Sequence, residues 1–218
     1  MRNQYEEQLR QLNESLTEMG DLCEAAIGKV NEALKAGHQA VVSEIYDLEM
    51  EVDEKEREIE SLCLKLILQQ QPVARDLRQI SSALKMISDM ERIGDQCSDI
   101  TDIIKFLEKH GEMELETHVH LEAMANAARA MVTKAVSAYV NQDLELAREV
   151  MASDDKVDGL FDEVKNELIA LIAQHPDEGE ACLDLLMVAK YLERIGDHTT
   201  NIAEWVEFAI TGTRPETD

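Results

Sequence analysis

A chain of 218 residues with 3 prolines, 9 glycines and 4% aromatic residues carries little turn punctuation and little of the alphabet that strands prefer. Its 46 acidic residues against 21 Lys and Arg give a net charge of −25, which argues against nucleic acid, because phosphates are bound by cationic side chains that displace counterions. The same charge disfavours direct attachment to anionic lipid and favours cations or a basic protein surface.

The first predicted helix is legible from periodicity. Tyr5, Leu9, Leu12, Leu16, Met19, Cys23, Ala26, Val30 and Ala33 step by fours and threes, which keeps one apolar stripe facing a partner helix. Gly37 is expected to end it. The second helix repeats the step with Val41, Ile45, Leu48, Val52, Ile59, Leu62 and Leu66, broken by Lys55, and ends near Gln71-Pro72. The third begins around Pro72 and uses Ala83, Met86, Met90, Ile93, Cys97, Ile100, Ile104 and Leu107 before His110-Gly111 closes it.

A second unit follows the same plan. Its first helix uses Met124, Ala128, Met131, Ala135 and Ala138, and its second uses Val150, Val157, Val164, Leu168 and Leu171. Its third uses Leu185, Val188, Leu192, Ile195, Thr199, Ile202, Val206 and Ala209, each 102 positions after its counterpart in the first unit. The word Glu91-Arg92-Ile93-Gly94-Asp95 returns letter for letter as Glu193-Arg194-Ile195-Gly196-Asp197. Val52-Asp53 returns as Val157-Asp158, and Met19 as Met124, at an offset of 105. The chain therefore reads as an internal duplication. The expected fold is all-α: two tandem three-helix up-down bundles, over residues 1–111 and 112–218, with six helices of about 30 residues each. The stretch from Thr211 to Asp218 reads as a frayed tail.

Cys23, Cys63, Cys97 and Cys182 form no C-x-x-C pair and fall on or beside apolar positions, so they read as small buried thiols. No signal peptide is legible in Met1-Arg2-Asn3-Gln4-Tyr5, and no apolar run reaches the roughly 20 residues that span a bilayer. The expectation is a soluble, cytoplasmic protein.

Acid pairs at spacing four are the chemical feature. The third helices carry Glu91/Asp95 and Glu193/Asp197, and the second helices carry Glu49/Asp53 and Asp154/Asp158. Residues four apart share a helix face, where like charges repel. Asp99 extends one series, and Asn201 stands in the equivalent slot. Neighbouring second and third helices would bring four carboxylates into one surface groove, an all-oxygen donor set suited to Mg²⁺, Mn²⁺, Ca²⁺ or oxidised iron. The competing reading is solvated helix face, since acids are abundant throughout. Gly94 and Gly196, each placed between two acids inside a helix, suggest close approach to a neighbouring helix or to a partner. Arg92 and Arg194 are expected to bond carboxylates on a facing helix.

At these residues the chain resembles the PhoU family of phosphate-uptake regulators. Asp89-Met90-Glu91-Arg92-Ile93-Gly94-Asp95 and Tyr191-Leu192-Glu193-Arg194-Ile195-Gly196-Asp197-His198, followed by Asn201-Ile202-Ala203-Glu204, are similar to that family's signature. The resemblance implies a cytoplasmic negative regulator and not an enzyme. It implies action between a phosphate ABC transporter, through its ATPase subunit, and a sensor histidine kinase, with membrane association only through partners. It also implies a homodimer and a Mg, Mn or Fe site, multinuclear in some members, on Glu49, Asp53, Glu91, Asp95, Asp154, Asp158, Glu193 and Asp197, with Asp99 a weaker candidate. Asn201 in place of a second Asp99 implies two sites that differ in nuclearity or affinity. The alternatives are a metal-free helical adaptor and a di-iron carboxylate protein. The latter needs Glu-x-x-His motifs, and none of His38, His110, His118, His120, His175 and His198 has Glu three positions before it. Each of those histidines is read as a surface residue.

Overall fold

The computed structural model describes residues 2–36, 39–70, 72–110 and 120–215, and these form six α-helices and one 3-10 turn. The helices are α1 (Arg2–Ala36), α2 (Gln39–Gln70), α3 (Ala74–His110), α4 (Leu121–Asn141), α5 (Leu144–Gln174) and α6 (Gly179–Thr211), with the 3-10 turn at Pro176–Glu178. Within each unit all three helices touch: α1, α2 and α3 in the first, α4, α5 and α6 in the second. The units then pack on each other through α3 against α6 and α1 against α4. The all-α duplicated architecture is as the periodicity predicts. The boundary at 111/112, Gly37, Gln71, Gly111, His38 and His118 lie outside the described residues.

The apolar stripes form one continuous core. Every predicted seam residue of α3, α4 and α6 is buried, as are those of α1 from Leu12 onward. Tyr5 and Leu9 are partly buried against it. Lys55, which breaks the α2 stripe, donates to Glu18 on α1 (2.9 Å) and Glu58 on its own helix (2.7 Å), so its ammonium leaves the apolar face for the rim.

Three expectations need correction. α4 is 21 residues, shorter than the expected 30 or so. Gln142 in the left-handed conformation (φ 52°) ends it, and the Asp143 carboxylate accepts from the Leu146 N–H at 3.0 Å to start α5. The tail is not frayed as far as it is described. Arg214 donates from Nη2 and Nε to Oε2 of Glu204 (2.7 and 3.1 Å), a carboxylate only 3% exposed, and its guanidinium lies 4.4 Å from the centre of the Trp205 ring. His198 is no surface residue either: its Nδ1 sits 2.9 Å from Oδ1 of Asp89 across the α3–α6 contact, and Asn201 donates to the same oxygen at 3.3 Å.

The cysteines are free and buried, and burial pushes the Cys23 and Cys63 thiols up to about 12, which keeps them protonated and unreactive. No helix among the described residues is long and apolar enough to cross a membrane.

Two glycines separate packing from propensity. A Cβ on Gly20 would lie 2.8 Å from Cγ2 and 3.1 Å from Cγ1 of Val136, at the α1–α4 contact between units. One on the exposed helical Gly159 would meet nothing within 4 Å. Thermal denaturation is expected to show Gly20→Ala destabilised by about 1–3 kcal/mol through overpacking. Gly159→Ala should gain up to about 1 kcal/mol from helix propensity.

Candidate metal centre in the interhelical grooves

Each acid pair lies on a helix that packs against the helix bearing its mate: α2 against α3, and α5 against α6. The repeated glycines set how closely. A Cβ on Gly94 would come within 3.3 Å of Val52 Cγ1 and 3.8 Å of Glu49 Cγ, and one on Gly196 within 2.9 Å of Asp154 Oδ1 and 3.4 Å of Val157 Cγ1. The Gly in each five-residue word is therefore the point where the neighbouring helix, carrying its own acid pair, lies against the backbone. Of the two reasons foreseen for these glycines, approach to a neighbouring helix is the one observed.

The first groove gathers Glu49, Asp53, Glu91 and Asp95. Glu49 is held above the usual carboxylate range by burial and then by the charges of Asp53 and Asp95. Glu91 is raised by burial and by Asp95, against the opposing Arg92, with Glu56 and Asp53 adding to it. Glu56 is a carboxylate that the spacing-four search passed over. It lies three residues after Asp53 and seven after Glu49, which places it on the same face, and burial raises it as well. Glu60 stands four positions after it and adds to that shift, so spacing four was signal enough to find it.

The second groove gathers Asp154, Asp158, Glu193 and Asp197. Asp158 is raised by burial and then by Glu193 and Asp197, and Asp197 by burial and Glu193. Asp154 is the most perturbed: burial, then Asp158 and Asp197, push it up to about 6, against the Thr200 hydroxyl, which lowers it. Its Oδ1 is buried without a hydrogen-bond partner among the described residues. Asp99 stands apart on an exposed part of α3, where Arg194 of α6 offsets part of the upward shift caused by burial and Asp95.

Cations already touch these acids. Arg57 donates to Asp53 at 2.9 Å, Arg92 lies 3.5 Å from Glu91 and donates to Asp95 at 2.8 Å, and Lys190 pairs with Glu193. Arg92 thus bonds acids of its own helix, a correction to the facing-helix expectation: its neighbours one and three positions along lie within easier reach than any residue on α2. Arg194 lies over the Tyr191 ring, 5.8 Å from its centre. With side chains so engaged, no three Asp, Glu, His or Cys among the described residues converge tightly enough to hold an ion. What fits a hard cation is the donor chemistry, all oxygen, together with the unpaired Asp154 Oδ1 and the glycine cradle beside it. Holding one requires the acids to rotate out of their Arg and Lys pairs.

The same motifs decide the family. The family model described as the PhoU domain matches the chain twice, over residues 16–104 and 121–206. This chain belongs to the PhoU family. A Clostridium acetobutylicum protein named phosphate-specific transport system accessory protein PhoU homolog is 36% identical over 211 residues, covering 95% of this chain and 94% of its own. A Deinococcus radiodurans protein of the same name is 32% identical over 219 residues, covering 98% and 100%. The crystal structure of PhoU from Pseudomonas aeruginosa superposes with a TM-score of 0.86 at 29% identity, covering 96% of this chain and all of that one. A Streptococcus pneumoniae PhoU structure, at 22% identity and a TM-score of 0.85, supports the fold alone.

A raised carboxylate pKa means that ionisation opposes folding. For Asp154 the penalty is absent below its unfolded value near 3.8 and is fully felt above its folded value of about 6. Asp154→Asn is therefore expected to melt higher than the parent protein at pH 7. That advantage should shrink as the pH falls from 6 towards 4, as read by melts across that window in metal-free buffer.

Proposed function

We propose that this chain is a non-catalytic accessory protein of a phosphate transport system, one that damps phosphate uptake and starvation signalling when phosphate is plentiful. The relatives named above carry that transport role in their names, and the family membership brings it to this chain. In this reading the protein works in the cytoplasm, as a homodimer, between the ATPase subunit of a phosphate ABC transporter and a sensor histidine kinase.

The single observation that carries the mechanism is the pairing of acid motifs across α2–α3 and again across α5–α6, each registered by a glycine contact. Glu49, Asp53, Glu91 and Asp95 would hold a hard cation in the first groove, and Asp154, Asp158, Glu193 and Asp197 one in the second, with Asp99 outside both. Such an ion supplies positive charge that offsets the carboxylate repulsion. The residues themselves then fix the spacing of the two helices, and the acidic surface around them offers a docking face for a basic partner.

A metal-free adaptor is the second reading. It is favoured by the Arg57, Arg92 and Lys190 pairs, which already counter part of the acid charge.

Elemental analysis of the purified protein beside a variant with alanine at Glu91, Asp95, Glu193 and Asp197 separates the two. The expected result is Mg, Mn or Fe near stoichiometry in the parent and its loss in the variant. A rise in melting temperature with added Mn²⁺ should accompany it in the parent alone. Pull-down with the ATPase subunit should weaken in the variant. Metal-free protein in both cases, with no melting shift on adding Mn²⁺, would favour the adaptor whose acids meet a partner directly.

A further inference from the structure

We propose that the tip of the α2–α3 hairpin is a docking surface for anionic lipid, which seats the protein on a membrane surface through Leu68 and Val73 with Lys65 and Arg75 beside them. The proposal is independent of the metal reading. It confines to one end of the molecule an attachment that the net charge of −25 disfavours for the chain as a whole.

The tip is apolar, convex and basic. Leu64 and Leu68 lie one turn apart near the end of α2, and Val73 and Leu77 lie one turn apart where α3 begins. All four are exposed, Leu68 at 80% and Val73 at 70%. From Ser61 to Lys85 the hairpin carries Lys65, Arg75, Arg78 and Lys85 against one acid, Asp76. Asp76 meets the Tyr5 hydroxyl, whereas none of the four cations has an ion pair among the described residues. The Arg78 guanidinium lies against Gly212 at the end of α6, which leaves Lys65 and Arg75 nearest the turn. Exposed apolar side chains framed by cations suit an anionic interface: the cations meet headgroup charge and the apolar groups enter the acyl boundary. A turn that projects between two helices also suits a deformable surface. Two copies meeting tip to tip would set Lys65 and Arg75 against their own images.

The duplication supplies a contrast. The equivalent stretch of the second unit, Asn166 to Met187, carries five acids and no Lys or Arg, although it exposes Ile169, Leu183 and Met187. At the offset of 102, Asp177 stands in the slot of Arg75. Because α3 and α6 run antiparallel, with Arg78 beside Gly212 and Asp89 beside His198, the two tips stand at opposite ends of the molecule. A basic apolar tip at one end and an acidic one at the other fix how the protein would stand on an anionic surface.

The acids near the first tip are already engaged. Tyr139 of α4 donates to the Gln79 carbonyl of α3 at 2.9 Å, which puts the α4–α5 turn at this end of the molecule. There Asp143 accepts from the Leu146 N–H, and Glu145 lies 3.7 Å from Arg148. Glu7 of α1 pairs with Arg10. Along α2 the next acid back from the turn is Glu60, ten residues before the helix end at Gln70. That is about 15 Å, beyond the Debye length of about 8 Å at physiological salt. The groove acids, further back still, are screened from a surface that the tip touches.

Co-sedimentation of the full-length protein with vesicles tests this, with phosphatidylcholine alone set beside an equal mixture of phosphatidylcholine and phosphatidylglycerol. The parent should bind the mixed vesicles, leave the neutral ones, and be released by high salt. Lys65→Gln/Arg75→Gln should weaken binding by roughly tenfold or more, the scale of two cations at a charged surface. Leu68→Ser/Val73→Ser should weaken it by a similar factor with the charge unchanged, and Ile169→Ser/Leu183→Ser at the other tip should leave it as it is. All these side chains are exposed, and melting temperatures close to the parent's check that each variant is folded. Parent protein left in the supernatant with mixed vesicles, equal binding to neutral ones, or binding indifferent to both first-tip variants would overturn the proposal. Weaker pull-down by the transporter ATPase subunit in those variants would then assign the tip to a protein partner instead.

Discussion

Close contact at Gly94 and Gly196 is the constraint from which the rest follows. With no side chain at those positions, α2 lies directly on α3 and α5 on α6, and the acids of one helix are pressed towards those of the other. A bundle normally turns its charges out to solvent. Here the seam runs so close to the acid pairs that burial is the leading cause of the raised carboxylates in both grooves. Packing and electrostatics are opposed at the same residues. Each unit is stable because its apolar stripe is long, and the acids are a local cost set against it.

Duplication places two such grooves in one molecule, and the contact between units ties them together. The α3–α6 pairing joins the two helices that carry the five-residue words. Asp89, His198 and Asn201 mark that junction, with two donors from α6 meeting one carboxylate of α3. The junction is not symmetric. Asn201 replaces the acid found at Asp99, and Gln96 stands in α3 where His198 stands in α6. The copies have diverged at the contacts between units and at the groove rims, while the third-helix seam stayed apolar except where Thr199 replaces Cys97.

Much of this was legible in the sequence because it depends on period and offset. The 3.6-residue stripe gave the helices, and the exact repetition of Glu-Arg-Ile-Gly-Asp gave the two units and the register of their acids. What escaped depends on side chains that cross between elements. Arg92 could have reached α2 or curled onto its own helix, and spacing does not choose between them. His198 looked like a surface residue because its partner, Asp89, lies 109 positions away in the chain. The contact of Lys190 with the Phe161 ring was hidden for the same reason, since the ring stands on another helix. α4 ends at Asn141, the counterpart of the α1 end at Ala36, and is short because it starts at Leu121, the counterpart of Leu16 well inside α1, a start that its apolar stripe does not announce.

Magnitudes decide what kind of device such a groove can be. Two carboxylates about 5 Å apart repel by roughly 3 kcal/mol at an effective dielectric of about 20, and less where solvent screens them. A cation bound only by the folded state, present at about a hundred times its dissociation constant, stabilises that state by about 2.7 kcal/mol. The stability of a domain is on the order of 5–15 kcal/mol. Cation occupancy on this scale is too small to decide whether the bundle folds. On the proposed metal reading it would match the repulsion across one groove, and so would act on the spacing of α2 and α3, or of α5 and α6, in a protein that stays folded throughout. Under that proposal the long apolar core keeps the shape of the bundle, and the ion acts only where the acids meet beside Gly94 and Gly196.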